Sequence, residues 1–182
     1  FEKCVFEDNN ATGSGGAFYA RTDWSEYSYF AGCSFIRNNA GTGGAVSGGI
    51  TIVNDSTFTS NSAANGRGGA IHTGAVQAYS TLFLDNYSDG EGGGVYSSYN
   101  ILKECLFLAN RGYNGGAVYA SGPLTVDLCL FEDSLSGKSG GALYARNELK
   151  ISRSRFFNNK AKNGGGVYLD SSTLFLIHNS SF

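Results

Sequence analysis

Along the whole chain the apolar and polar positions repeat one phrase. A Phe is followed three residues later by Asn in six of seven repeats, then by a Gly-Gly pair, a small residue and an apolar one. The Gly-Gly pairs begin at Gly15, Gly43, Gly68, Gly92, Gly115, Gly140 and Gly164, with spacings of 28, 25, 24, 23, 25 and 24 residues. Self-similarity at such a period means one supersecondary unit stacked on copies of itself. Short apolar runs bounded by Gly, Asn, Ser and Asp predict strands and turns, and no stretch holds the 3.6-residue period of a helix. Twenty-seven glycines spread through every repeat argue against helix as well. A repeat of this length accommodates two or three short strands. Coiling the repeats so that each strand lies beside its equivalent predicts an all-β parallel β-helix of about seven turns of about 24 residues, a rod roughly 34 Å long at the usual strand spacing. Residues 1–182 form a single array.

Alignment on the Phe column assigns positions to the core. The column is Phe6, Phe35, Phe58, Phe83, Phe107, Phe131, Phe156 and Phe182, and the position five residues earlier is apolar throughout, from Phe1 and Phe30 to Ile151 and Ile177. Two residues before each Phe lies a small residue: Cys4, Cys33, Ser56, Thr81, Cys105, Cys129, Ser154 or Ser180. These two positions have opposite parity, so a strand buries both only if a corner lies between them. Asn9, Asn38, Asn61, Asn86, Asn110 and Asn159, with Ser134 as the one substitution, form a ladder expected in a turn, where Asn tolerates left-handed backbone and stacked amides bond one another. Gly-Gly is expected at a tight corner. The position after the following apolar residue reads Tyr19, Ser47, His72, Tyr96, Tyr119, Tyr144 and Tyr168, an outward aromatic stripe by strand alternation.

Composition narrows function mainly by exclusion. Charged residues make up 15% and the net charge is −2, which supplies no basic stripe for nucleic acid. No apolar run is long enough to span a bilayer, and there is no Met at position 1, so the chain is expected to be a segment of something longer. No cofactor is implied. Carboxylates scatter: two residues after the Phe stand Asp8, Arg37, Ser60, Asp85, Ala109, Asp133 and Asn158, with no acids in adjacent turns, and neither His72 nor His178 has a carboxylate partner by repeat position. Acid/base catalysis and calcium chemistry both need such groups clustered, so no catalytic or metal residue is assigned.

Repeated Gly-Gly-Ala-Ile/Val/Leu paired with Phe-x-x-Asn, as in Phe6-Glu7-Asp8-Asn9 and Phe156-Phe157-Asn158-Asn159, resembles the repeat signature of the chlamydial polymorphic outer membrane proteins. Cysteine two residues before the Phe, as in Cys33-Ser34-Phe35, is similar to that family too. The resemblance implies a right-handed β-helix of the pectin-lyase type in a surface-exposed autotransporter adhesin. Four Asn-x-Ser/Thr acceptors weigh toward a secreted eukaryotic glycoprotein instead: Asn10, Asn54 and Asn179 off the ladder, and Asn86 on it and expected to be the least available.

Cys4 with Cys33 and Cys105 with Cys129 occupy one repeat position in adjacent turns, within disulfide reach at the strand spacing. Oxidised outside the cell, they would staple neighbouring turns; the other reading is a ladder of small buried thiols alternating with Ser and Thr. The stretch from Arg21 to Tyr29 is extra to the repeat and is expected to leave the rod as a loop, with Trp24, Tyr27 and Tyr29 as candidate binding residues for a sugar ring or a protein. Neither end carries a capping unit, so partners are expected to include further repeats or a second copy stacked end to end, besides a host or cell-surface protein or glycan. Two functions follow: a non-catalytic extracellular rod, adhesive or fibre-forming, and a carbohydrate-binding or polysaccharide-degrading β-helix.

Overall fold

A computed structural model describes residues 1–21, 27–171 and 174–182. Every strand pairing is parallel and joins equivalent positions of successive turns, so the chain is an all-β parallel solenoid. Three sheets run the length of the rod. The Phe strands, from Val5–Glu7 to Arg155–Phe157, form a seven-stranded sheet. Short strands such as Asn39–Ala40 and Tyr87–Ser88 form a five-stranded sheet beyond the Asn ladder. An eleven-stranded sheet follows the Gly-Gly corner and contains the nine-residue strands Val46–Asn54, Ile71–Tyr79 and Val95–Lys103. In the next turn that long strand is divided into Val118–Ala120 and Leu124–Asp127, where Gly122 and Pro123 interrupt it. Seven Phe strands enclose six full turns, with a bridge from Arg155 to Ser181 beginning the next. The count is thus slightly below the seven expected from sequence.

Each turn is closed by three residues in the left-handed region. The expected corner between the positions five and two before the Phe is a single residue with φ of 46–59° at Lys3, Gly32, Asp55, Ser80, Glu104, Leu128, Arg153 and Asn179. One such residue reverses the side to which the following side chains point, so Leu102 and Cys105 both face inward and are fully buried. A second corner lies two residues after the Phe. Asp8, Arg37, Ser60, Asp85, Ala109, Asp133 and Asn158 have φ of 50–55° there. This moves the turn one residue ahead of the Asn ladder. The third corner is Gly-Gly: Gly68 has φ 67°, and a Cβ on Gly69 would collide with the carbonyl oxygen of Gly93 in the next turn.

The core is a stack of columns. From Phe6 to Phe182 successive Phe rings lie 4.5–5.0 Å apart between centroids and within 7° of parallel. The separation follows directly from the strand spacing. Beside this column the Asn ladder points inward, not into solvent. Asn38 Nδ2 donates to Asn61 Oδ1 at 3.0 Å in the next turn and to the Phe6 carbonyl at 2.9 Å in the previous one. Asn61 and Asn86 repeat this arrangement, and each Oδ1 also accepts the backbone N–H of the preceding ladder residue. Ser134 interrupts the series, and the Asn110 amide turns to the Leu108 carbonyl at 3.1 Å.

Candidate functional site

In the structure the four cysteines are free, and they do what Ser does elsewhere in their column. Ser56 Oγ donates to the Asn54 carbonyl at 2.7 Å and accepts the Cys33 N–H at 3.1 Å. Cys129 Sγ likewise donates to the Asp127 carbonyl at 3.3 Å and accepts the Cys105 N–H at 3.4 Å. The contact with Cys105, followed by burial, pushes the Cys129 thiol far above its ordinary range and keeps it protonated.

Several surface carboxylates are drawn into ion pairs that join adjacent turns. Arg37 holds Asp8 at 2.8 Å and Glu7 at 2.6 Å, Arg67 holds Glu91 at 2.8 Å, and Arg153 holds Asp127 at 2.6 Å. Hydrogen bonding to Arg37 holds the Asp8 carboxyl below the usual range, and bonding to Arg153 and Ser152 does the same for Asp127. Among the described residues no three His, Cys, Asp or Glu side chains gather in metal-binding proximity. Of the glycan acceptors, Asn10 and Asn179 are exposed. Asn54 is half-buried and donates to the Tyr29 hydroxyl at 3.1 Å, and Asn86 is fully buried in the ladder.

The aromatic stripe is real, but it is a stack more than an open surface. Tyr19, Ser47, His72, Tyr96, Tyr119, Tyr144 and Tyr168 are in register across the long sheet. From His72 to Tyr168 neighbouring rings lie 4.8–5.1 Å apart, so faces cover one another and Tyr119 is 7% exposed. Arg67 lies 4.9 Å over the Tyr96 ring and ties it to Glu91. Burial first, and then the hydrogen bond to Asp170, raises the pKa of the Tyr144 hydroxyl. Burial and the neighbouring Arg67 charge lower that of His72, so its imidazole is neutral at pH 7. Tyr19, at the other end, is 55% exposed.

Trp24 lies outside the described residues. Tyr27 and Tyr29 are not loop residues: Tyr27–Ala31 is a strand paired in register with Ile50–Asn54, because Tyr-Ser-Tyr-Phe fits a pleated surface. Both rings point outward. Beside Ser47, the rung of the stripe without a ring, lies a cavity of ≈ 330 Å³ lined by Tyr19, Arg21, Gly48, His72, Gly74 and Ser98. Periodicity marked the stripe and its Ser47 rung from sequence; the cavity depends on the packing of the residues after the stripe, which the repeat does not encode.

The Chlamydia polymorphic membrane protein repeat matches residues 3–21, 55–74, 80–98 and 153–170. Each matched segment begins on the left-handed corner before the Phe, at Lys3, Asp55, Ser80 or Arg153, and continues past the aromatic stripe. The matched unit therefore covers most of one structural turn, from the corner before the Phe to the aromatic stripe. No curated protein and no solved structure matches the chain. Four stretches of the chain thus match the Chlamydia polymorphic membrane protein repeat, each at the same place in a turn of the parallel β-solenoid.

Proposed function

We propose that this chain is a stretch of a non-catalytic, cell-surface β-helical rod with a structural and adhesive role. The observation that carries the reading is where the repeated polar groups go. Asn amides, small hydroxyls and thiols, and Arg-carboxylate pairs bond from turn to turn, so the recurring chemistry serves the stacking of the rod. The match to a membrane-protein repeat supports a surface location. Partners are further repeats or copies stacked end to end, and a host or cell-surface protein or glycan. Beads coated with the purified protein are expected to adhere to cultured epithelial cells several-fold above albumin-coated beads. Equal adhesion would overturn the adhesive role, and release of reducing ends from polygalacturonate would overturn the non-catalytic one.

A further inference from the structure

The stripe lacks one ring. Ser47, 5% exposed, occupies the rung between Tyr19 and His72, and all three are in register across adjacent strands. Two strand spacings separate the flanking rungs, roughly 9.6 Å. The same two-spacing interval from Tyr96 to Tyr144 is filled by Tyr119, whose ring lies 5.1 Å from one neighbour and 4.8 Å from the other. One flat ring at the Ser47 rung would therefore meet aromatic faces on both sides at ordinary stacking distance.

The rings beside the gap behave as the end of a stack. Tyr96, Tyr119 and Tyr144 are within 10° of parallel from one to the next, whereas His72 is tilted 36° from Tyr96. The gap opens into the ≈ 330 Å³ cavity, whose floor includes Gly48 and Gly74, residues without side chains to fill it. Ser98 and Arg21 line the cavity, and no Asp or Glu does; the Thr73 hydroxyl, also at the cavity wall, is buried and donates to the Ala75 carbonyl at 3.0 Å. Aromatic side chains with a serine and a cationic side chain at the rim suit a ring that is apolar on its faces and polar at its edge. A phenyl ring satisfies the faces but leaves the polar rim unpaired, whereas a pyranose presents C–H groups to the rings and hydroxyls to the rim.

We propose that the Ser47 rung is a glycan subsite in which one pyranose ring stacks between Tyr19 and His72 and hydrogen-bonds the polar rim of the cavity. This rests on the adhesive reading of the rod and names the chemistry its surface would recognise.

The test is titration of the intact chain with cellotetraose, chitotetraose and tetragalacturonate, followed by saturation-transfer NMR and calorimetry. At least one is expected to bind with millimolar or tighter affinity. Ser47→Trp, which fills the rung, and Tyr19→Ala, which removes one face, should each weaken binding at least tenfold. Ser47→Ala and Tyr168→Ala should bind like the parent, and circular dichroism confirms that each variant keeps the β fold. Failure of all three sugars, or binding undiminished in folded Ser47→Trp, overturns the subsite. Beads that adhere to cells equally well with and without Ser47→Trp would sink the subsite and leave the rod adhesive. Sugar binding lost on Ser47→Trp, in beads that never adhere, would keep the subsite and remove the adhesive role.

Discussion

At the residue scale, the ladder Asn is the side chain whose chemistry the turn most depends on. Asn86 accepts the Asn61 backbone N–H and side-chain amide, each at 3.0 Å, and donates to the Phe58 carbonyl at 2.9 Å and Asn110 Oδ1 at 3.0 Å. No other residue of similar size both accepts and donates in this way: Asp lacks the donors and Leu lacks both. Asn86→Ala leaves several buried groups without partners, each costing about 1–3 kcal/mol. A loss of at least about 3 kcal/mol is therefore expected on urea unfolding. Ser134 provides the opposite experiment. In its column the neighbours are Asn110 and Asn159, and the Asn110 amide has turned to the Leu108 carbonyl for want of an acceptor one turn on. Ser134→Asn should restore the ladder and raise stability by about 1 kcal/mol, the ordinary net value of a hydrogen bond. A variant no more stable than the parent would show that the ladder needs no continuity.

At the scale of the element, the corners set the shape of each turn, and one of them is held by residues poorly suited to it. Leu128 has φ 54° and is exposed, so nothing in packing requires Leu there. Left-handed backbone costs an ordinary L-residue about 1–2 kcal/mol, and Asn much less. Leu128→Asn is expected to raise the melting temperature by a few degrees, and the β-branched Leu128→Val to lower it; equal melting of all three would place the strain elsewhere. This corner was legible in the sequence because apolar residues stand three apart on either side of it. The same parity holds between Phe and Asn, yet the second corner was missed. Asn is so familiar in turns that its burial could not be read from its identity, and the residue that does turn, Asp8, Arg37 or Ala109, shares no chemistry from repeat to repeat. The candidate site was half legible for a related reason. Alternation and the repeat put Tyr19, Ser47, His72 and Tyr96 on one outward column with Ser47 as its ringless rung, but the cavity beside it depends on how the residues around Gly48 and Gly74 pack, which no repeat position encodes.

At the scale of the molecule, the rod is a one-dimensional stack in which each turn touches only those on either side, and its stability is a sum of local turns and the interfaces between them. Phe83 lies near the middle of the core, fully buried, its ring 5.0 Å from Phe58 and 4.6 Å from Phe107. Replacing it with Ala removes both ring contacts and leaves a cavity that parallel sheets pinned in register cannot easily collapse, at a cost of about 3–5 kcal/mol. In a compact globule that loss would spread over the whole molecule. In a stack it should concentrate at the two interfaces that Phe83 bridges, because distant turns form no contacts with it. Hydrogen exchange should therefore show amide protection falling by about a hundredfold or more, at 1.4 kcal/mol per tenfold, in Leu82–Leu84, Thr57–Thr59 and Leu106–Leu108. Val5–Glu7 and Arg155–Phe157 should change little. Uniform loss of protection along the rod would mean that the Phe column and the Asn ladder couple all turns into one cooperative unit. A graded loss means that turns can open singly, and then the rung beside Ser47 could open without unfolding the rest.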